Sequence, residues 1–120
     1  MVHVFAKSAA NALRGISFVW QRERNFRILF LVGILVIASV IALGFTYMEV
    51  VSILVSVSVV LGAELFNTVV EELLDVVEPH YSVHVGRIKD VTAGVVLLLS
   101  LFAGLIGIAT VIHHYTFVLR

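Results

Sequence analysis

Residues 50–75 read VVSILVSVSVVLGAELFNTVVEELLD, and the interpretation of this stretch decides the fold. From Val50 to Ala63 it is apolar and uncharged. At ~1.5 Å per residue that run falls short of the ~30 Å hydrocarbon core of a bilayer. A membrane helix starting here must therefore continue through Glu64 and Glu71. Beyond Ala63, the residues Glu64, Asn67, Glu71 and Asp75 follow at helical spacing. At ~100° per residue they keep within about 80° of arc and form one stripe ~16 Å long, while Glu72 points elsewhere.

Working outward, Ile28 to Phe45 carries no charge and, with Thr46 to Met48, is long enough to cross, so a first span is expected over 28–48. The quoted stretch supplies a second over 50–77. Pro79 disfavours helix at Glu78 and marks a loop. A third span is expected over 91–112, with Gly94, Gly104 and Gly107 offering surfaces for close helix approach. Upstream, residues 5–26 read as an amphipathic surface helix. Phe5, Ala9, Leu13, Ile16 and Trp20 share one face opposite Lys7, Asn11 and Arg14, and continuing the stripe places Glu23 on the buried side.

Composition agrees. Of 120 residues, 61% are hydrophobic and 13% charged, and the mean hydropathy is +1.12, well outside the usual soluble range. The expectation is an all-α membrane protein forming a single domain over 1–120. A formal charge of zero gives no electrostatic case for nucleic acid. The lack of cysteine excludes disulfides and sulfur-ligated metals. Lys7, Arg14, Arg22 and Arg24 interrupt the first residues, which do not read as a signal peptide. Lys7, Arg14, Arg22, Arg24 and Arg27 precede the first span, and Arg87 and Lys89 sit in the second loop, whereas the tail has only Arg120. The N-terminus and the 78–90 loop should therefore be cytoplasmic.

Acids on a membrane helix cost ~2.5–3.5 kcal/mol each on insertion scales, so a row of them needs a partner or a wet pocket. Three readings follow. A divalent cation held by carboxylates suits Mg²⁺ with phosphate oxygens, and an acid left free could take a proton from an alcohol. Alternatively the acids simply pair with Arg22, Arg24, Arg27, Arg87 or Lys89. A third reading is a non-catalytic oligomer with the stripe as a cation or proton path. His80 and His84 flank a loop, and His113 and His114 adjoin the far interface as anchoring residues; neither pair is assigned a site.

The pattern Glu64-x-x-Asn67-Thr68-x-x-Glu71-x-x-x-Asp75, then Tyr81 and Lys89-Asp90-Val91-Thr92-Ala93-Gly94, resembles the prokaryotic diacylglycerol kinase family. Arg14-Gly15 and Glu23-x-Asn25-Phe26-Arg27 match as well, and the latter is similar to the undecaprenol kinase branch. The resemblance implies a homotrimer in the plasma membrane that transfers the γ-phosphate of ATP, with Mg²⁺, to the primary hydroxyl of undecaprenol or diacylglycerol. By position it implies Glu64 as general base with Asn67 in support, Glu23 and Glu71 as metal ligands that also meet the nucleotide, and Lys89, Asp90 and Tyr81 as further nucleotide contacts. Arg14, Trp20 and Glu64 are the expected lipid contacts, and Asp75 is a further candidate at the end of the stripe. The loop departs from the family in reading His80-Tyr81-Ser82.

Overall fold

A computed structural model describes residues 1–118; Arg120, used above for orientation, lies outside them. The described chain consists of helices: α1 (Val2–Arg22), α2 (Arg24–Ala42), α3 (Tyr47–Val77) and α4 (Val83–His113), closed by a π-helical turn, His114–Val118. α2, α3 and the α4 region are each long and apolar enough to cross a bilayer. α3 packs between α2 and α4, and α1 is carried outward as an arm, in a molecule 59 × 44 × 22 Å across.

The first helix ends sooner than the sequence suggested, at Arg22 rather than near 26. Glu23 is extended (φ −98°, ψ 107°) and makes an elbow. The cause is local: Arg27, one turn into α2, turns its Nη1 back onto the carbonyls of Trp20 (2.6 Å) and Gln21 (3.2 Å). A cation there satisfies carbonyls that a helix C-terminus leaves without partners. Trp20 packs edge-on against Phe30 (centroids 5.3 Å apart) and Phe26 (6.4 Å), filling the elbow's inner angle. Glu23 therefore sits at the break, half-buried, instead of on a continuing helical face.

α2 ends at Ala42, six residues short of the expected end of the first span, because Gly44 beyond it takes, at a φ of +76°, the left-handed conformation that favours glycine. Gly44 N–H reaches the carbonyl of Ile41, and Phe45 N–H reaches that of Val40, the paired bonds of a Schellman ending. Two residues on, Glu49 Oε2 accepts from the backbone N–H of Thr46 (2.8 Å) and from its hydroxyl (2.9 Å), which starts α3. Val40, Phe45 and Ile53 are the buried core of this corner.

The fourth helix begins at Val83, eight residues before the expected start of the span. Ser82 accepts the N–H of Val85 through its hydroxyl (3.1 Å) and caps it. The loop therefore shrinks, and Lys89 and Asp90 ride on the second turn of a helix. At ~1.5 Å per residue, α3 and α4 are each ~46 Å long, well beyond the ~30 Å apolar slab. Tyr47 and His113 lie at the same end of the bundle, where His113 meets Glu49, so a slab with one face at their level places Glu64 close to the opposite face, with Glu71, Asp75, Lys89 and Asp90 past it.

Candidate functional site

α3 is unbroken across the stripe, so Glu64, Asn67, Glu71 and Asp75 do share one face. Each meets a different neighbour. Glu64, only 4% exposed, accepts a hydrogen bond at Oε1 from Asn25 Nδ2 (2.8 Å), on the first turn of α2. Its Oε2 has no hydrogen-bond partner among the described residues and is not sealed from solvent. Below it, Thr68 returns its hydroxyl to the Glu64 carbonyl (3.0 Å) and buries its side chain.

One turn further, Asn67 Nδ2 donates to Glu71 Oε1 (3.0 Å), while Asn67 Oδ1 is buried with no partner. Buried acceptors are rarely left unpaired without a reason. At the stripe's end, Asp75 Oδ1 is tied to Lys89 Nζ (2.6 Å), and off the stripe Glu72 is tied to Arg22 (2.9 Å). Plain charge pairing thus accounts for Asp75 and Glu72. Among the described residues, Glu64 and Glu71 are bonded by amides and by no cation.

Glu23 lies in the chain between Arg22, bound to Glu72, and Asn25, bound to Glu64, so the elbow is pinned to α3 on both sides of it. Its carboxylate has no partner among the described residues. Asp90 is exposed and makes no side-chain bond among the described residues, and Tyr81, also exposed, lies alongside Gly86. Arg14 bonds Asn11 on the outer surface of α1. The structure therefore joins Lys89 to the stripe directly, but Trp20 is engaged in packing the elbow.

Between α1 and α3 runs a groove of about 450 Å³ lined by Gly15, Ile16, Val19, Leu65, Val69 and neighbours. Glu72 stands at its edge. A second, largely apolar groove of about 570 Å³ lies among α2, α3 and α4, with Gly33, Gly104, Gly107, Ser56 and Ser100 in its lining.

Sequence reasoning missed two features. Asn25 was read only as part of a pattern, since its bond to Glu64 spans 39 residues of chain and no local signal announces it. The second is at the opposite end of α3. There Glu49, buried, accepts from His113 Nδ1 (3.0 Å) and His114 Nδ1 (2.9 Å), and the fully buried His114 stacks on Phe45 (3.9 Å, 8° between planes). The Thr46-x-x-Glu49 capping spacing was a legible hint of a helix start.

The donor set of the stripe suits the cation that the sequence implies. Its members are carboxylate and amide oxygens with no imidazole or thiol, the set a hard ion selects. Among the described residues no three acids or histidines converge into a cage. An ion here would keep water and phosphate oxygens in its shell, as Mg²⁺ commonly does, and the unpaired Asn67 Oδ1 is an oxygen available to that shell.

The arrangement defines a class: a helical integral membrane protein with an acid and amide site at one bilayer boundary, built where a surface arm meets the bundle. The family description that matches it, prokaryotic diacylglycerol kinase, covers residues 10–111, and the chain belongs to that family. A protein named diacylglycerol kinase from Synechocystis sp. is 31% identical over 97 residues, which is 80% of this chain. Those residues make up 55% of that protein, so the chain spans little more than half of its relative's length.

Proposed function

We propose that the protein is a lipid kinase that moves the γ-phosphoryl group of ATP onto the primary hydroxyl of a membrane lipid, undecaprenol or diacylglycerol. The observation that carries this reading is Glu64: a carboxylate at the bilayer boundary, shielded from bulk water, held at one oxygen by a neutral amide and open at the other. A group so placed can accept a proton from an alcohol that arrives from the lipid side.

The other residues are given the roles that family likeness implies. Glu71 and Glu23 offer carboxylates and Asn67 an amide oxygen to Mg²⁺, which when bound with nucleotide neutralises charge on the β- and γ-phosphate oxygens. Lys89 carries its ammonium to the same face of the bundle and can exchange Asp75 for phosphate, a charge-assisted contact of the same kind. Glu64 would remove the proton as the lipid oxygen bonds to the γ-phosphorus, while the bond from that phosphorus to the β,γ-bridging oxygen breaks and ADP leaves. The groove between α1 and α3 lets a lipid approach sideways with its chain still in the bilayer. By family likeness we read the assembly as a homotrimer in the plasma membrane, with the Arg-rich arm and the Lys89 end on the cytoplasmic side.

The cation or proton path is less well supported. Between Glu49 and Glu64 on α3 there is no ionisable group over ~22 Å. The hydroxyls of Ser52, Ser56 and Ser58 are turned back onto their own helix, and Glu49 is engaged by two histidines.

The test is to incubate the purified full chain in lipid with Mg²⁺ and labelled ATP, adding diacylglycerol or undecaprenol separately. Label entering one lipid fraction is expected, and its identity selects the acceptor. Transfer to neither would remove the kinase reading for these substrates.

A further inference from the structure

We infer that Asn25 is a positioning residue for the reaction, acting through Glu64 and not on substrate. The inference rests on the assignment of Glu64 as the base.

Glu64 stands on α3 with a side chain of three rotatable bonds, and a carboxylate that takes a proton must present one oxygen along one direction. Among the described residues Asn25 Nδ2 is the only group bonded to that carboxylate, at 2.8 Å from Oε1. An ionised carboxylate can only accept, so the amide must present its nitrogen. A bond to one oxygen anchors that oxygen beside α2 and leaves Oε2 for the alcohol.

The identity of the partner matters. An arginine or lysine at this place would engage the carboxylate as an ion pair, whereas a neutral amide orients it without a counter-charge. The chain has cations in plenty close by, yet the elbow disposes of each one elsewhere. Arg22 goes to Glu72, Arg27 goes to the end of α1, and Arg24 faces outward, exposed. Asn25 is delivered by the same elbow, one residue beyond Arg24, onto the first turn of α2.

The experiment is a double-mutant cycle in the full chain reconstituted in lipid, following labelled phosphate into lipid. The variants are Asn25→Ala, Asn25→Asp, Glu64→Gln and the pair Asn25→Ala with Glu64→Gln. Positioning errors of ~1 Å typically cost up to ~10²-fold, so Asn25→Ala should lower kcat roughly ten- to hundredfold with KM for ATP and lipid unchanged. Asn25→Asp, the same size but unable to donate when ionised, should be impaired at least as much, and it serves if the alanine variant does not fold. In the Glu64→Gln background, loss of Asn25 should cost no more than about twofold, since nothing remains to be positioned.

An equal loss from Asn25→Ala in both backgrounds, or a rise in KM with kcat kept, would overturn the inference, as would full turnover in the Asn25 variants beside an impaired Glu64→Gln. Full turnover in Glu64→Gln itself would instead overturn the base assignment on which the inference stands.

Discussion

At Gly33 α2 and α3 approach closely, and a side chain added there tests the packing quantitatively. A Cβ placed on Gly33 would lie 2.5 Å from Val57 Cγ1 and 3.7 Å from both Val57 Cβ and Cγ2. A contact of 2.5 Å between carbons is far inside their ~3.5–4.0 Å optimum. Val57 cannot simply turn away, because a β-branched side chain in a helix has essentially one χ1 well. Gly33→Ala must therefore push the helices apart or force Val57 off its rotamer, and the expected cost is about 1–3 kcal/mol, as for other overpacked contacts. Titrated unfolding in mixed micelles, followed by the single tryptophan, Trp20, measures it. The same substitution combined with Val57→Ala removes the obstructing methyls, so the pair should recover at least about 1 kcal/mol relative to the sum of the two singles. Strict additivity, or a Gly33→Ala variant as stable as the parent, would mean that α2 and α3 do not approach as described.

Three other outcomes follow from the same structure. His114→Ala empties a fully buried site beside Phe45; unfolding titration should register a loss of about 2–5 kcal/mol, with phosphate transfer per folded molecule kept, since the site lies at the other end of α3. Lys89→Ala should raise KM for ATP roughly ten- to hundredfold, the usual weight of a charge-assisted contact, and leave KM for lipid alone in initial-rate measurements. Asp75→Asn breaks the partner of Lys89 at a half-exposed position, so melting should shift little while KM for ATP stays level or falls as the ammonium is released.

The three spans were legible because lipid as solvent demands long uncharged runs, and Ile28–Phe45, Val50–Ala63 and Val91–Val111 are such runs. The stripe on α3 was legible for a related reason, since helical periodicity alone fixes which residues share a face. Boundaries outside the apolar slab were harder. Val83 to Asp90 mixes valines with His84, Arg87 and Lys89, so no run of apolar residues marks the first two turns of α4, and only the Ser82 cap hints at them. The elbow at Glu23 depends on Arg27 folding back onto the end of α1. That contact competes with a continuing helix and is invisible in the periodicity. The Asn25–Glu64 and Glu49–His113 contacts join residues far apart in the chain, and they exist only because α3 packs against α2 and α4 in one register. The stripe's charges also sorted themselves in a way spacing could not foretell: Asp75 found Lys89, and Glu64 found an amide.

The central claim is that Glu64 takes the proton from a lipid hydroxyl during phosphoryl transfer. Its most direct test is the turnover of Glu64→Gln against the parent chain, each reconstituted in lipid with Mg²⁺, labelled ATP and the acceptor the parent uses. Glutamine keeps the size and the Asn25 contact but cannot accept the proton, so turnover should drop by roughly 10² to 10⁴ with ATP binding intact. Turnover within a few-fold of the parent would contradict the account.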